Sequence, residues 1–226
     1  MKKLLLVICM LSMSSSLGWA QSAPPLGSAQ SFAVLGASGV TNTGPTVITG
    51  DLGVSPGTSV TGFPPGTVTG GAVHAGDAPA TAAQAAAHTA YAALVAEHCG
   101  TNLTGKTLGS SPGAVTLSPG VYCFDSSAQL TGTLTLSGSG VYIFQIKSTL
   151  TTASKSSVVL AKGATAGNVF WQVGSSATLG TNTAFEGSIL ANISGTITTG
   201  ASVTGRVFAL TGAVTLSGNH IRAASK

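Results

Sequence analysis

The sequence predicts a mainly β protein, a β-solenoid with one long α-helix packed alongside. Three observations lead there. Short apolar runs recur through the second half of the chain at the length of a solenoid coil. One alanine-rich stretch carries helix start and stop signals. Charged residues make up only 6% of the chain, against roughly 25% in an average soluble domain.

The chain opens on an expected export signal over residues 1–20, with Lys2 and Lys3 ahead of an apolar run from Leu4 to Leu11 and Gly18-Trp19-Ala20 at its end. That run is too short to span a bilayer, later apolar stretches are broken by Gly, Ser and Thr, and no membrane partner is expected. Cys9 lies behind Ile8, where a lipoprotein cleavage site would have a small residue, so no lipid anchor is expected either. Residues 21–226 then form a single domain, because about 206 residues suffice for one substantial core but not for two domains with a linker.

The helix is expected at about residues 78–99. Asp77 is placed to cap it, Pro79 suits its first turn, alanines propagate it, and Gly100 offers a left-handed stop. Ala83, Ala86, Ala90 and Leu94 form an apolar stripe opposite a polar one of Thr81, Gln84 and His88. One side of the helix is therefore expected to lie on a flat surface.

The strands follow from recurrence. Val121-Tyr122-Cys123-Phe124 returns in character as Val141-Tyr142-Ile143-Phe144, Val169-Phe170-Trp171-Gln172, Ser188-Ile189-Leu190-Ala191 and Arg206-Val207-Phe208-Ala209. The last three begin about 18 to 19 residues apart, room for three short strands with turns at ~3.3 Å per residue, hence a coil of triangular cross-section. Both parities of these runs are apolar, which marks strands buried on both faces and assigns them to the helix side.

The next strand of each coil alternates. Gln129-Leu130-Thr131, Thr149-Leu150-Thr151, Thr178-Leu179-Gly180, Thr196-Ile197-Thr198 and Thr215-Leu216-Ser217 each set an aliphatic residue between small or hydroxylic ones. Period two sends the aliphatic residue inward and the threonines outward. A third strand follows with Thr133-Leu134-Thr135, Ser157-Val158-Val159 and Ser202-Val203-Thr204, but its row also carries Glu186, His220 and Arg222. Residues 28–76 share the strand-and-turn texture. The helix thus interrupts a β-rich chain whose two parts are expected to stack into one solenoid.

Charge and cysteine usage narrow the function. Without Lys2 and Lys3, seven basic residues face five acidic ones, a formal charge of +2. Lys106, Lys147, Lys155, Lys162, Arg206, Arg222 and Lys226 are scattered singly, not clustered as phosphate contacts require, so no nucleic acid partner is expected. Cys99 and Cys123, an even pair in an exported chain, read first as a disulfide tying the helix end to a strand, with free buried thiols as the alternative. Neither a second Cys pair nor a His pair stands at zinc-ligand spacing, and no metal is expected.

Catalysis has little to work with. Asp51, Asp77, Glu97, Asp125 and Glu186 share no local motif for paired acid and base work. His74, His88, His98 and His220 are dispersed, and no serine sits in a Gly-x-Ser-x-Gly elbow. No catalytic residue and no cofactor is assigned, and the chain does not read as an enzyme.

The hydroxylic face offers more. Parallel strands repeat every ~4.8 Å, and alternate outward residues along a strand lie ~6.6 Å apart, so the threonines form a flat two-dimensional grid. Each carries a hydroxyl and a methyl on a stiff β-branched rotamer. Such a grid could order water in a pattern that merges with an ice lattice. Threonine is also a common strand residue, so the rows alone fit an ordinary β surface too.

Several longer stretches carry a resemblance. They are Leu26-Gly27-Ser28-Ala29 with Phe32-Ala33-Val34-Leu35-Gly36, Gly50-Asp51-Leu52-Gly53-Val54-Ser55-Pro56-Gly57, His74-Ala75-Gly76-Asp77 before the helix, and Leu117-Ser118-Pro119-Gly120-Val121-Tyr122. Val141-Tyr142-Ile143-Phe144-Gln145-Ile146, Asn168-Val169-Phe170-Trp171-Gln172-Val173-Gly174-Ser175-Ser176-Ala177 and Gly212-Ala213-Val214-Thr215-Leu216 complete the set. Over residues 26–224 the chain resembles the widespread microbial ice-binding (antifreeze) proteins once catalogued as a domain of unknown function. The resemblance implies a discontinuous right-handed β-solenoid with an adjoining helix. It also implies adsorption to ice through a flat solenoid face, with thermal hysteresis and inhibition of ice recrystallisation, and no use of the helix side.

Because members of that family share no single ice-binding motif, the residues come from strand parity. Those expected to meet ice are Thr131, Thr149, Thr151, Thr178, Thr196, Thr198, Thr215 and Ser217, with Thr133, Thr135, Ser157, Ser202 and Thr204 as the rival row. The protein is expected to act as a monomer, exported to the periplasm, the cell surface or the medium, with the ice crystal surface as its partner. A carbohydrate-binding adhesin would call for aromatic platforms, yet Trp171 is the one tryptophan outside the signal. A β-helix polysaccharide lyase or hydrolase would call for a groove of clustered charges. Both are weaker readings.

Overall fold

A computed structural model describes residues 21–110 and 113–225; the expected export signal lies outside the described residues. The strands pair in parallel and stack into three faces around one core. Parallel neighbours need a crossover, and here the rest of each coil supplies it.

The helix-side face contains Gly120–Phe124, Tyr142–Ile146 and Val169–Val173, continued by the second halves of Ala184–Ala191 and Ser202–Ala209 and then by Phe32–Gly36 and Asp51–Val54. Its strands are buried on both parities, as their composition requires. One parity points into the solenoid, where Tyr122, Phe144 and Trp171 stack with ring centroids 5.5 and 3.8 Å apart. The other parity, including Val121, Ile143, Phe170, Leu190 and Phe208, forms a second core beneath the helix.

A seven-stranded open face holds Ala128–Leu130, Leu150–Thr152, Ala177–Leu179, Gly195–Ile197, Ala213–Ser217, Gly39–Thr43 and Ser59–Thr61, in that spatial order. The third face includes Thr133–Ser137, Ser157–Ala161, the first halves of Ala184–Ala191 and Ser202–Ala209, His220–Arg222, Val47–Thr49 and Thr67–Thr69. The two eight-residue strands turn from the third face onto the helix side at Gly187 (φ 106°) and Gly205 (φ 153°). Only glycine suits this bend, since a Cβ on Gly205 would lie 1.9 Å from the Gly187 carbonyl oxygen.

The spatial order makes the solenoid discontinuous in sequence. The coils before the helix stack on the last coils after it, with Gly39–Thr43 against Ala213–Ser217, Val47–Thr49 against His220–Arg222, and Phe32–Gly36 against Ser202–Ala209. Arg206, only 2% exposed, clamps the same junction on the helix side. Its Nη2 donates to the carbonyls of Gln30 (2.6 Å) and Ala224 (2.9 Å), and its Nε donates to Gln30 (3.2 Å). Burial pushes this guanidinium down to about 10.

The helix runs Ala78–Ala96, capped by the Asp77 carboxylate accepting from the Ala80 N–H at 3.0 Å. Its buried face is Ala80, Ala83, Gln84, Ala87, Ala90 and Leu94, which corrects the sequence reading at two points. Ala86 is only half-buried, and Gln84 belongs to the buried side because its Nε2 donates to the Ala209 (3.3 Å) and Leu210 (2.9 Å) carbonyls of the solenoid. The stop also differs. Glu97 leaves the helix in an extended conformation, Gly100 has no left-handed role, and Gln145 Nε2 caps the end by donating to the Leu94 (2.7 Å) and Glu97 (2.8 Å) carbonyls. Just beyond, Cys99 and Cys123 are joined as a disulfide with Cα atoms 5.9 Å apart.

Candidate functional site

The open face is organised in columns, because parallel strands in register place like positions side by side. Its central outward column reads Gln129, Thr151, Thr178, Thr196, Thr215, Thr41 and Thr61. Six consecutive threonines at ~4.8 Å per strand make a row about 24 Å long. Beneath it, Leu150, Ala177, Val214 and Val40 point inward and are buried. Such a shared apolar floor holds the backbones level. The seven strands carry no charged side chain.

Hydrogen bonding separates this column from its flanks. Among the described residues, none of the six central hydroxyls bonds another protein group, so all are left to solvent. On one flank the Thr149 hydroxyl donates to Ser127 Oγ at 2.8 Å, and the Ser176 and Ser194 hydroxyls lie 2.9 Å apart. On the other flank Thr198 Oγ1 is turned back to the Leu179 carbonyl at 2.7 Å, and Ser217 pairs with Thr199 at 3.0 Å. Internally satisfied hydroxyls offer less to an incoming water layer.

The sequence-predicted residues are therefore divided. Thr151, Thr178, Thr196 and Thr215 fall in the central column. Thr149 does not stand across from Thr178, because Leu150 pairs with Ala177 and it is Thr151 that meets Thr178. A two-residue offset leaves the same side chains outward, so parity alone could not detect it. Thr131, Thr198 and Ser217 lie on the other flank, Thr198 half-buried. Reading only the second half of the chain missed Thr41 and Thr61, which complete the row. Their signal was the alternation in Val40-Thr41 and Val60-Thr61, the same as in Val214-Thr215.

The rival row lies on a less uniform surface. Thr133 pairs with Ser157, whose neighbour is Ala184, followed by Ser202, His220 and Val47. The parallel column two residues on runs from Thr135 to Val159, and further along from Glu186 through Thr204 and Arg222 to Thr49. Two concavities of about 290 and 280 Å³ meet at Thr204 and Arg222. Burial raises the Glu186 carboxyl above its usual range, opposed by Thr204 and Arg222. This face is dented and charged, where the strands of the open face carry no charge.

His74, Asp51, Asp77 and Asp125 have structural surroundings. His74 Nδ1 lies 2.8 Å from Asp77 Oδ2 and its Nε2 4.0 Å from Asp51 Oδ1. Asp77 is also the helix cap, and Asp51 accepts from the Ala72 N–H at 2.9 Å. Asp125 is held below the usual carboxylate range by Lys147, then by Asn102 and Thr104, at a turn. Among the described residues, no three His, Cys, Asp or Glu side chains converge as metal ligands.

Comparison with known proteins agrees with this architecture. Residues 34–222 match the family model described as ice-binding-like. An ice-binding protein of Nostoc sp. (strain HG1) is 53% identical over 201 residues, covering 87% of this chain and 72% of that protein. Among solved structures, an ice-binding protein from an Antarctic biological consortium superposes with a TM-score of 0.86 at 43% identity, covering 91% of this chain and 93% of that one. One from the Antarctic ascomycete Antarctomyces psychrotrophicus gives 0.84 at 41% identity, covering 91% of this chain and all of that one. On the matched length and this level of identity, the chain belongs to the ice-binding-like family.

Proposed function

We propose that the protein is an exported monomer that adsorbs to ice through the central threonine column of its open face, without turnover, metal or cofactor. The observation that carries the reading is the unbroken register of Thr151, Thr178, Thr196, Thr215, Thr41 and Thr61, with none of the six hydroxyls bonded to another of the described residues. Each methyl keeps water from closing over the face, and each hydroxyl can take a place in an ordered water layer. A hydrogen bond contributes about 1 kcal/mol net, so a single contact would be fleeting. A rigid row engages all of its contacts at once and is released only when all let go. Pinned molecules force ice to advance as curved fronts between them, which lowers the local freezing temperature and slows recrystallisation.

The experiment compares uptake into slowly grown ice and thermal hysteresis for the unaltered protein, Thr196→Tyr and Thr204→Tyr. The unaltered protein should enter the ice. Thr196→Tyr, which raises a ring out of the flat face, should abolish most of the hysteresis, while Thr204→Tyr on the third face should leave it near normal. The reverse pattern would transfer the activity to the rival row.

A further inference from the structure

The threonine column crosses the junction between the segments before and after the helix, with Thr196 and Thr215 on one side and Thr41 and Thr61 on the other. Beneath that crossing, at the corner with the third face, three buried polar side chains are joined. Asn219 and Thr46 are 0% exposed and Asn42 is 6% exposed. Asn219 Nδ2 donates to the carbonyls of Thr198 (2.8 Å) and Ala201 (3.1 Å), and its Oδ1 accepts from the Ser217 N–H (2.6 Å). Its own N–H donates to Thr46 Oγ1 at 3.0 Å. Thr46 Oγ1 in turn donates to Asn42 Oδ1, and Asn42 Nδ2 donates to the carbonyls of Gly44 and Gly62, 2.8 Å each. One path of hydrogen bonds thus runs from Thr198 to Gly62. It touches the backbone within two residues of Thr196, Thr215, Thr41 and Thr61.

A polar group is not needed there for burial. Asn42 pairs with Leu216, and Leu216 with Ile197, in an inward column that is otherwise aliphatic at these coils. Apolar side chains are tolerant of sliding, and a slip of two residues would keep every inward and outward assignment while breaking the pairing of Thr41 with Thr215. Elsewhere short turns between consecutive coils limit such slips, but at this junction the neighbouring strands are not consecutive in sequence. Buried amides and hydroxyls must find their partners, so they admit one register.

We propose that Asn42, Thr46 and Asn219 are positioning residues for ice adsorption, holding Thr41 and Thr61 level and in register with Thr196 and Thr215. The inference rests on the reading that the threonine column binds ice. Thr46→Val removes the linking hydroxyl at nearly constant volume, and Thr46→Ser restores it. Asn42→Leu breaks the path with a side chain that the same column accepts at Leu216, and keeps the test informative if Thr46→Val does not fold. Thermal hysteresis is measured where circular dichroism shows the native fold, both in the unaltered chain and in one already carrying Thr41→Ala and Thr61→Ala.

In the unaltered chain, Thr46→Val and Asn42→Leu should lose about three- to fivefold of the activity, the loss expected for one hydrogen bond's worth of positioning. Thr46→Ser should retain most of it, and neither loss should recur in the chain lacking Thr41 and Thr61, because those are the groups being placed. Full activity in a folded Thr46→Val or Asn42→Leu variant overturns the inference, as does an equal loss in both backgrounds or a Thr46→Ser variant no better than valine. Uptake of the unaltered protein into ice is run alongside. Its exclusion would overturn the underlying functional reading, whereas its entry together with any of the preceding results overturns the positioning role alone.

Discussion

Thr41 and Thr215 stand side by side on the open face, paired Cα to Cα in a parallel ladder, although most of the chain separates them in sequence. The row that meets solvent is therefore assembled from both ends of the protein, and neither half alone presents its full length.

The amino-terminal threonines should consequently matter as much as those after the helix. Thr41→Tyr and Thr61→Tyr are each expected to reduce thermal hysteresis as Thr196→Tyr does. Both positions are exposed, so unfolding should shift by no more than about 0.5 kcal/mol. Hysteresis measured beside a thermal melt checks both halves of the expectation.

Arg206 makes a different prediction. Its planar fork reaches two carbonyls on separate segments, Gln30 and Ala224, in a way that a single ammonium cannot. Arg206→Lys should destabilise the fold by about 2 to 3 kcal/mol, the usual worth of a buried charge-assisted hydrogen bond, and scanning calorimetry would register it.

Acid should loosen the start of the helix. The Asp77 carboxylate is held below its ordinary range by the Ala80 N–H first and His74 second. A carboxylate lowered in the folded state stabilises above its ordinary value and loses that contribution as pH falls through the folded one. Asp77→Ala should lower the unfolding temperature at pH 7, and the difference from the native protein should vanish at strongly acidic pH. Melts of the two proteins across pH test this directly.

Reducing the disulfide should separate stability from activity. Cys99 and Cys123 lie 24 residues apart in sequence, and closing such a loop stabilises by about 3 kcal/mol. The bond sits at the helix end, remote from the open face. Cys99→Ser with Cys123→Ser should therefore melt earlier yet retain hysteresis near 0 °C, and a parallel loss of both would contradict the placement of the active face.

Much of this was legible in the sequence because period and composition are local. Both-parity apolar runs such as Val169-Phe170-Trp171-Gln172 marked the helix side, and Thr196-Ile197 or Thr215-Leu216 marked the open one. What stayed hidden depended on pairing. Nothing local places Thr41 next to Thr215, or sets Thr151 and not Thr149 beside Thr178. Gln84 read as polar and outward because its partners, the Ala209 and Leu210 carbonyls, lie far along the chain. Gly100 looked like a helix stop because glycine often is one, whereas the stop came from Gln145 on a distant strand.

The discontinuous stacking also bears on how the molecule comes into being. Phe32–Gly36 and Gly39–Thr43 leave the ribosome first, yet Ser202–Ala209 and Ala213–Ser217, on which they stack, leave it last. Closure over so long a span is slow. Phe32–Gly36 and Gly39–Thr43 can pair early with Asp51–Val54 and Ser59–Thr61, but their other edges stay open until the last coils have been made.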